Sequence, residues 1–286
     1  MKKTSFTKAQ IRQILLFVFT AALAVIAILP LLWILSTSFK SESEIITGGF
    51  HLLPKKFTLD TYNSILFDKT YASQVPVFRW FLNSLLVSSI HTVLMLLISS
   101  MSAYAYARME FKGKKIMFYV LLSTMMVPQS VIIAPLYNIM VKLGWVNTYM
   151  SMIFPGLSSV FAVFLMRQFM LGIPKEYDEA ANIDGAGRFQ IFIKVILPLM
   201  KPSMVVTGLF VFLNNWNDFL WLTIITSSVN MRTLPAGLRV MQGFLTTQYG
   251  KIAAASVISA LPVFVIYLFA QKYFQKGLSL SSGVKG

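Results

Sequence analysis

Four carboxylates, those of Glu176, Asp178, Glu179 and Asp184, lie close together in the sequence between two strongly apolar stretches. Clustered carboxylates could bind a metal ion or exchange protons as an acid–base pair. Such sites often also use His or Cys, but this chain has no Cys and only two His residues, neither of them near the cluster. A charged element that contacts a partner is therefore the better interpretation, and a catalytic or metal-binding cluster is the alternative.

The local sequence predicts two short helices around these carboxylates. Pro174 suits a first helical position, and acidic side chains in the next turn lie near the positive end of a helix. Two alanines continue the helix, and Gly185 is a typical end because Gly readily adopts positive φ. A second amphipathic helix is predicted over 188–196, with Pro198 ending it. Anionic lipid would repel the acidic first turn, so a protein partner is favoured over a position on the bilayer surface.

A second polar group lies within an otherwise apolar stretch, over 202–231. It contains Asn214, Asn215, Trp216, Asn217 and Asp218, whose amide, indole and carboxylate groups are suited to binding sugars. Asn214 and Asp218 are four residues apart and are predicted to share one face of a helix. Within a membrane such groups are unfavourable unless they face a cavity or a partner. Two hypotheses stay open at this point: the group lines a substrate path, or it joins helices together.

Motifs for nucleotide hydrolysis and for catalysis are missing from the sequence. The chain lacks the G-x-x-x-x-G-K-[ST] phosphate loop, the H-E-x-x-H zinc motif and the G-x-S-x-G nucleophile motif. We therefore expect a non-catalytic chain that binds no cofactor or metal of its own.

The elements that position these groups are membrane helices. Of the 286 residues, 56% are apolar and 12% are charged, and the mean hydropathy is +0.69. A soluble domain has about 25% charged residues, so this chain has too few to cover a surface in water. The net charge of +15 comes from basic residues in the loops, which indicates membrane orientation rather than nucleic-acid binding.

Six apolar stretches are long enough to cross a bilayer as helices. They cover residues 13–39, 80–107, 116–141, 143–166, 202–231 and 252–271. Lys and Arg are more frequent in the segments on the side of the two termini, so both termini are predicted to be cytoplasmic. This topology leaves 40–79 as the main extracytoplasmic loop and 167–201 as the main cytoplasmic loop. The sequence thus predicts an all-α integral membrane protein with one domain over 1–286.

The cytoplasmic loop resembles the signature of permease subunits of binding-protein-dependent ABC importers. That signature stands here as Glu179-Ala180-Ala181, Gly185 and Val195-x-Leu197-Pro198, with Val in place of the usual Ile. The rest of the chain resembles the maltose-type carbohydrate permeases almost from end to end. The matching segments are Asn83-Ser84, Ala103-Tyr104-Ala105-Tyr106-Ala107-Arg108, Pro135-Leu136-Tyr137, Asn147-Thr148-Tyr149, Pro174-Lys175-Glu176, Trp216-Asn217-Asp218-Phe219-Leu220-Trp221, Arg232-Thr233-Leu234-Pro235 and Val284-Lys285-Gly286.

This resemblance implies a type I ABC importer permease fold with six transmembrane helices and gives the loop a role. The loop would form a coupling helix that docks on the ATPase subunit. Glu179 would pair with a basic group there, Ala180 and Ala181 would allow close approach, and Gly185 would make the turn.

The resemblance also implies partners and a location. The outer loop over 227–250, with Arg232, Pro235 and Gly237, would contact an extracytoplasmic solute-binding protein, and an ordinary connecting loop is the alternative. The other partners would be a homologous second permease in a heterodimer, two ATPase subunits that use ATP and Mg, and membrane lipid. The expected cargo is a carbohydrate, most simply an oligosaccharide, and the expected location is the bacterial cytoplasmic membrane.

Two alternative functions remain. The same machinery could import glycerol phosphate or another polar solute, and Arg232 and Arg239 do not decide between these cargoes. A secondary transporter is less favoured, because Asp218 is the single charged residue in the predicted spans and ion coupling needs several.

Overall fold

The computed structural model describes residues 8–244 and 248–282, and for residues 243, 244 and 273–282 it describes the backbone alone. All regular elements in these residues are helical. The tail motif Val284-Lys285-Gly286, and Lys2 and Lys3 of the predicted cytoplasmic N-terminus, lie outside the described residues.

Sixteen α-helices follow one another along the described residues. In chain order they are α1 (Lys8–Thr37), α2 (Glu42–Thr47), α3 (Asp60–Phe67), α4 (Lys69–Gln74), α5 (Val77–Arg108), α6 (Lys114–Ser123), α7 (Gln129–Lys142), α8 (Tyr149–Ile153), α9 (Val160–Leu171), α10 (Glu176–Ile183), α11 (Arg188–Ile191), α12 (Leu197–Leu199), α13 (Lys201–Trp216), α14 (Leu220–Ile225), α15 (Leu234–Phe244) and α16 (Tyr249–Ser282). Short 3-10 turns cover Thr124–Met126 and Val229–Met231, and a π turn over Phe192–Ile196 joins α11 to α12.

Three helices are each long and apolar enough to cross a membrane. They are α1, α5 and the part of α16 over Tyr249–Lys272. Two further stretches reach that length only as bent pairs: α6 with α7, at 97°, and α11–α12 with α13, at 78°. The described residues therefore contain three candidate spans, or up to five if each bent pair is one span. The membrane class is confirmed, whereas the predicted number of six spans is not.

The predicted span over 143–166 is not a single helix. It contains α8 and the first part of α9, separated by an irregular segment over 154–159. Within this segment Gly156 has a φ of 78°, a conformation that ends regular helix. The stretch has no charge, so composition alone did not reveal the break.

Proline accounts for the first of the two bends but not for the position of the second. Pro128 follows Val127, whose extended conformation (φ −80°, ψ 117°) separates α6 from α7. Pro198 was predicted to end a helix, and this is wrong, since it lies inside α12. Proline has no N–H to bond to the preceding turn, and the wider π turn directly precedes it. The chain bends instead at Met200, before α13.

Contacts divide the chain into two units, Met1–Val75 with Val240–Ile258, and Pro76–Arg239 with Ser259–Gly286. In the first unit, the apolar window of α1 is not buried by the rest of the chain, as expected for a helix that faces lipid or another subunit. The predicted extracytoplasmic loop contains α2, α3 and α4. Glu42 on α2 accepts hydrogen bonds from the backbone N–H groups at the start of α16, at 2.7 and 3.2 Å.

The second unit has two main clusters of buried apolar side chains. One contains Tyr104 and Phe192 and joins the C-terminal part of α5 to α9 and the π turn. The other contains Val87, Met152 and Trp221 and joins the N-terminal half of α5 to α8 and α14. Helix α5 therefore contributes to both clusters.

Candidate functional site

The acidic cluster lies on α10 and just after it, as the sequence predicts. The helix begins at Glu176 with three acidic side chains in its first turn, where the helix dipole favours negative charge. It ends in a Schellman motif. Gly185 has a φ of 81° and donates its N–H to the carbonyl of Asn182 at 3.0 Å, and Ala186 donates to Ala181 at 2.9 Å. The predicted helix and its glycine end are confirmed.

The last residue of α5 holds the beginning of this loop. The Nε of Arg108 lies 3.3 Å from Oδ2 of Asp178, and its Nη2 donates to the carbonyl of Ile173 at 2.6 Å. The side chains of this ion pair are 6% and 18% exposed, so water screens their interaction little. One turn earlier on α5, the hydroxyl of Tyr104 donates to the carbonyl of Arg188 at 3.1 Å. Helix α5 thus contacts the loop on both sides of α10.

Three of the four residues predicted to couple to a partner are exposed. Glu179, Ala180 and Gly185 are open to the surroundings, and the side chain of Glu179 has no ion pair among the described residues. Ala181 differs, because it is half-buried against the apolar cluster that contains Tyr104. Of the two alanines, only Ala180 is therefore placed for close approach by another molecule.

Three large apolar side chains of the same loop are exposed, and the sequence reasoning did not single them out. Tyr177 is 50% exposed, Ile183 is 88% exposed and Phe189 is 66% exposed. Apolar side chains grouped on a charged, exposed loop are typical of a protein–protein contact surface. Tyr177 and Ile183 stand among the charged residues of α10, and this was the signal that could have identified them.

A cavity of about 540 Å³ lies in the second unit. Helices α5, α7, α13 and the start of α14 contribute to its wall. Its polar lining residues are His91, Gln129, Ser159, Asn214, Asn215 and Asp218. Apolar side chains such as Met95, Leu136 and Phe210 form the rest of the wall. Polar groups among apolar walls suit a ligand that has both hydroxyl groups and apolar ring faces.

Hydrogen bonds hold several of these polar groups in position. The amide oxygen of Asn215 accepts a hydrogen bond from a serine of α5 at 3.0 Å. Asp218 accepts the backbone N–H of Trp221 at 3.1 Å and so satisfies one of the free N–H groups in the first turn of α14. The Nδ1 of His91 lies 2.6 Å from the carbonyl of Ile153 and must donate to it, which leaves Nε2 as the acceptor in a neutral ring.

The other two residues of the predicted polar face lie elsewhere. Trp216 is 1% exposed, its indole N–H donates to the carbonyl of Ser259 at 3.2 Å, and its ring stacks on Phe212. Its contacts are those of helix packing. Asn217 is exposed beyond the end of α13 and is not part of the cavity wall.

The geometry of the polar group also differs from the prediction that Asn214 and Asp218 share one helix face. Since α13 ends at Trp216, these two residues reach the cavity from two different elements. Asn215 of the predicted polar group also lines the wall, and the structure adds His91, which the sequence had not indicated as a site residue. A polar residue in an apolar stretch was the available signal for His91.

The predicted binding-protein segment is held against the N-terminal end of α5. Asn83 donates to the carbonyls of Asn230 and Arg232, both at 2.9 Å, and it accepts the hydroxyl of Tyr149 at 2.8 Å. Ser84 accepts the backbone N–H of Leu234 at 2.7 Å. The backbone around Arg232 is therefore fixed by the chain itself.

Further along this segment, Pro235 is half-buried and Gly237 is buried. A Cβ at Gly237 would overlap the indole of Trp80, so only glycine fits at this close approach. The same indole donates to the carbonyl of Val229 at 2.6 Å. Gly237 is placed for internal packing, whereas the role of Arg232 and Pro235 towards a partner stays a prediction.

No group of three or more His, Cys, Asp or Glu side chains in the described part of the chain is arranged to hold a metal ion. In the acidic cluster, the carboxylate of Asp178 faces Arg108.

Comparison with known proteins identifies similar chains. Residues 95–280 match the family described as binding-protein-dependent transport system inner membrane component. The arabinooligosaccharides transport system permease protein AraQ of Bacillus subtilis (strain 168) is 38% identical over 96% of this chain and 96% of its own length. The trehalose/maltose transport system permease protein MalG of Thermococcus litoralis is 34% identical over 96% of this chain and 98% of its own.

Solved structures support the same fold. A chain from the crystal structure of a bacterial ABC transporter involved in the import of the acidic polysaccharide alginate superposes with a TM-score of 0.82. The match covers 95% of this chain and all of that chain, at 24% identity. The fold is therefore that of an ABC importer permease.

Proposed function

The chain belongs to the family of binding-protein-dependent transport system inner membrane components, and from this premise we propose that it is a permease subunit of an ATP-driven importer of carbohydrate. The observation that carries the proposal is similarity, over more than nine-tenths of the chain, to permeases named for arabinooligosaccharides and for trehalose and maltose. A cavity with amide, carboxylate and imidazole groups among apolar walls supports an oligosaccharide as cargo.

In this proposal the chain forms half of the pore and works with partners. These are a homologous second permease, two ATPase subunits that use ATP and Mg, and an extracytoplasmic solute-binding protein. The absent phosphate loop supports a separate ATPase. One solved structural neighbour is an alginate transporter in complex with an alginate pentasaccharide-bound periplasmic protein, which supports a binding-protein partner. We place the chain in a bacterial cytoplasmic membrane with both termini inside.

The proposed contact with the ATPase is the exposed surface of the loop around α10. Glu179 would pair with a basic group, Ala180 would allow close approach, Gly185 would set the turn, and Ala181 would hold the helix against its own core. The exposed side chains of Tyr177, Ile183 and Phe189 support this interpretation, because a large apolar surface on a loop is unfavourable in water unless a partner covers it.

Reconstitution in liposomes tests the proposed machinery. We expect ATP-dependent oligosaccharide uptake only when the second permease, the ATPase and the binding protein are all present. Uptake by this chain alone would contradict the proposal. A panel that includes glycerol phosphate decides the alternative cargo, because uptake of glycerol phosphate without uptake of sugars would favour it.

Topology is tested with reporter fusions after residues 67 and 190. We expect the first reporter to be outside the cell and the second to be cytoplasmic, because basic residues are more frequent in the segments assigned to the cytoplasm. An external reporter at residue 190 would contradict the whole orientation.

Charge reversal tests the ATPase contact. Glu179→Lys should abolish uptake and co-purification of the ATPase, while Glu176→Lys, an exposed change in the same first turn, should reduce neither severely. Gly185→Val should also fail, since a β-branched residue resists the φ of 81° that ends the helix. Wild-type uptake in Glu179→Lys and Gly185→Val would remove the coupling role.

The substrate path is tested by two asparagines that differ in position. Asn214→Ala changes the cavity wall, whereas Asn217→Ala changes an exposed residue beside it. We expect Asn214→Ala and Asp218→Asn to alter which sugars enter, with the partner permease still bound. Loss of the partner instead would show that these groups join subunits, and normal uptake would exclude them from recognition.

A further inference from the structure

We propose that Arg108 is the positioning residue through which α10 moves α5, so that ATPase-driven displacement of the loop reaches the cavity. This inference rests on the proposed function, because it assumes that α10 docks on an ATPase. It adds a transmission element that the docking surface itself does not provide.

The guanidinium of Arg108 contacts the predicted cytoplasmic loop at two residues, Ile173 and Asp178. Arg108 is the last residue of α5, and it contacts the carbonyl of Ile173 at 2.6 Å and the carboxylate of Asp178 at 3.3 Å. The first residue precedes α10 and the second lies in its first turn. The contact with Ile173 is a hydrogen bond and the contact with Asp178 is an ion pair, so one planar group is held from two directions, which a single contact cannot do.

A third contact holds the other side of the loop to the same part of α5. Tyr104 lies one turn before Arg108, so the two side chains share a face of the helix. The Tyr104 hydroxyl donates to the carbonyl of Arg188 at the start of α11, and its ring packs against Phe192 of the π turn at 5.1 Å. With contacts before, within and after α10, the loop cannot tilt without moving the end of α5.

Helix α5 is suited to carry such a movement. It is continuous from Val77 to Arg108 and contains neither Gly nor Pro, the residues at which helices bend most often. His91 and Met95 lie on the same helix and line the cavity. At a rise of about 1.5 Å per residue, they lie roughly 20–25 Å along the axis from Arg108.

A purely structural ion pair would give different consequences from a transmission element. Loss of a structural pair lowers stability and assembly, and it reduces transport and ATP hydrolysis together. Loss of a transmission element leaves the ATPase bound and active while transport per ATP falls. The ratio of sugar imported to ATP hydrolysed therefore separates the two roles.

The first experiment measures this ratio in the complete reconstituted complex. We expect Arg108→Gln to keep ATPase co-purification, while imported sugar per ATP falls about tenfold or more, because two charge-assisted contacts are lost. Arg108→Lys should give an intermediate loss, since lysine keeps the charge without the fork. The control Lys115→Gln removes an exposed positive charge nearby and should stay within about twofold of wild type.

Asp178→Asn provides a second variant that keeps the shape of the pair. If both residues act through one contact, the double variant with Arg108→Gln should be no worse than the worse single variant. Additive losses would overturn the inference. Loss of ATPase binding in the single variants, or an unchanged ratio of sugar to ATP, would also overturn it.

A readout without cargo separates this inference from the proposed function. The chain has no Cys, so Met95→Cys introduces a single thiol on α5 at the cavity wall. We expect ATP binding to change the rate at which a small maleimide labels this thiol, and Arg108→Gln to remove the change. A change that persists in Arg108→Gln would overturn the inference, whether or not the complex imports carbohydrate.

Discussion

The two ends of α5 hold the chain's loops with different chemistry. At the N-terminal end, Trp80, Asn83 and Ser84 make only neutral hydrogen bonds, to the segment over 229–234 and to the hydroxyl of Tyr149. At the C-terminal end, a shielded ion pair and two bonds to carbonyls hold a loop whose outer face is exposed. We call these the N-terminal contacts (Trp80, Asn83 and Ser84) and the C-terminal contacts (Tyr104 and Arg108) of α5.

This difference indicates a division of roles. The side chains of the N-terminal contacts are almost fully buried, with Trp80, Asn83 and Ser84 at 1, 4 and 1% exposure. Neutral bonds made by buried side chains specify one geometry, and leaving the buried partner unsatisfied is costly. The C-terminal contacts instead fasten a loop that presents Ile183 and Phe189 outwards. We therefore expect changes at the N-terminal contacts to affect stability most, and changes at the C-terminal contacts to affect coupling most.

The largest loss of stability is expected for Asn83→Leu. The change removes three hydrogen bonds and leaves two carbonyls and the Tyr149 hydroxyl without their partner. At about 1–3 kcal/mol for each unsatisfied buried group, a total of about 2–4 kcal/mol is expected, since part of the site reaches solvent. The measurement is the apparent melting temperature of the purified chain in detergent.

The matched control is Asn138→Leu, the same chemical change at an exposed position of α7. It should leave the melting temperature within a few degrees of wild type or raise it. Equal losses in the two variants would break the proposed difference between the ends of α5, because they would show that the buried network adds nothing specific.

A smaller loss is expected for Gly237→Ala, which tests packing rather than hydrogen bonding at the N-terminal contacts. The added methyl group overlaps the indole of Trp80, a fully buried side chain that cannot move freely. Overpacking of this kind costs about 1–3 kcal/mol. The control Gly172→Ala adds the same atom where the nearest contact is 3.4 Å, and it should be close to neutral. A melting temperature unchanged in both variants would show that α15 can shift away from Trp80.

A modest loss is expected for Asp178→Asn at the C-terminal contacts. The change removes the partner charge of Arg108, while the bond from Arg108 to the carbonyl of Ile173 remains. We expect about 1–2 kcal/mol of lost stability, because the attraction of a shielded ion pair is lost and no large cavity is formed. A loss equal to that of Asn83→Leu would mean that the two ends of α5 serve stability alike.

Local features of the sequence were enough to predict part of this arrangement. The acidic first turn and the glycine end of α10 are local signals, and the structure confirms both. The segments Asn83-Ser84 and Ala103–Arg108 were noticed only as matches to a family. Their physical role depends on partners far away in the chain, such as Arg232 for Asn83 and Asp178 for Arg108. Spacing within one segment contains no information about such pairs.

The residues of the cavity wall could likewise be predicted only in part from local sequence. Asn214 and Asp218 were predicted from their polarity in an apolar stretch, and both line the wall. Trp216 was included because an indole suits the apolar face of a sugar ring, but its orientation depends on where α13 ends and on the carbonyl of Ser259. The broken spans were missed for a similar reason, because an uncharged stretch contains the same hydropathy whether it is straight or bent. Pro128 was the available signal for one bend.

The smallest effect is expected for Glu110→Gln. This variant removes the charge of an exposed carboxylate, so comparing it with Asp178→Asn shows whether burial of the carboxylate matters. Glu110 pairs with Lys114 at 3.2 Å, close in the sequence to Arg108, and the Lys114 and Glu110 side chains are 17% and 89% exposed, so the carboxylate lies in solvent. Solvent and salt screen such a pair, and exposed i,i+4 pairs contribute about 0.3–0.5 kcal/mol at most. Asp178→Asn makes the same kind of charge change in a pair that is 6% and 18% exposed.

If burial gives the C-terminal contacts their strength, Glu110→Gln should leave both the melting temperature and the sugar imported per ATP unchanged, and added salt should make no difference. A loss of coupling in Glu110→Gln comparable to that of Asp178→Asn would instead mean that the net charge near the end of α5, and not the geometry of Arg108, governs transmission.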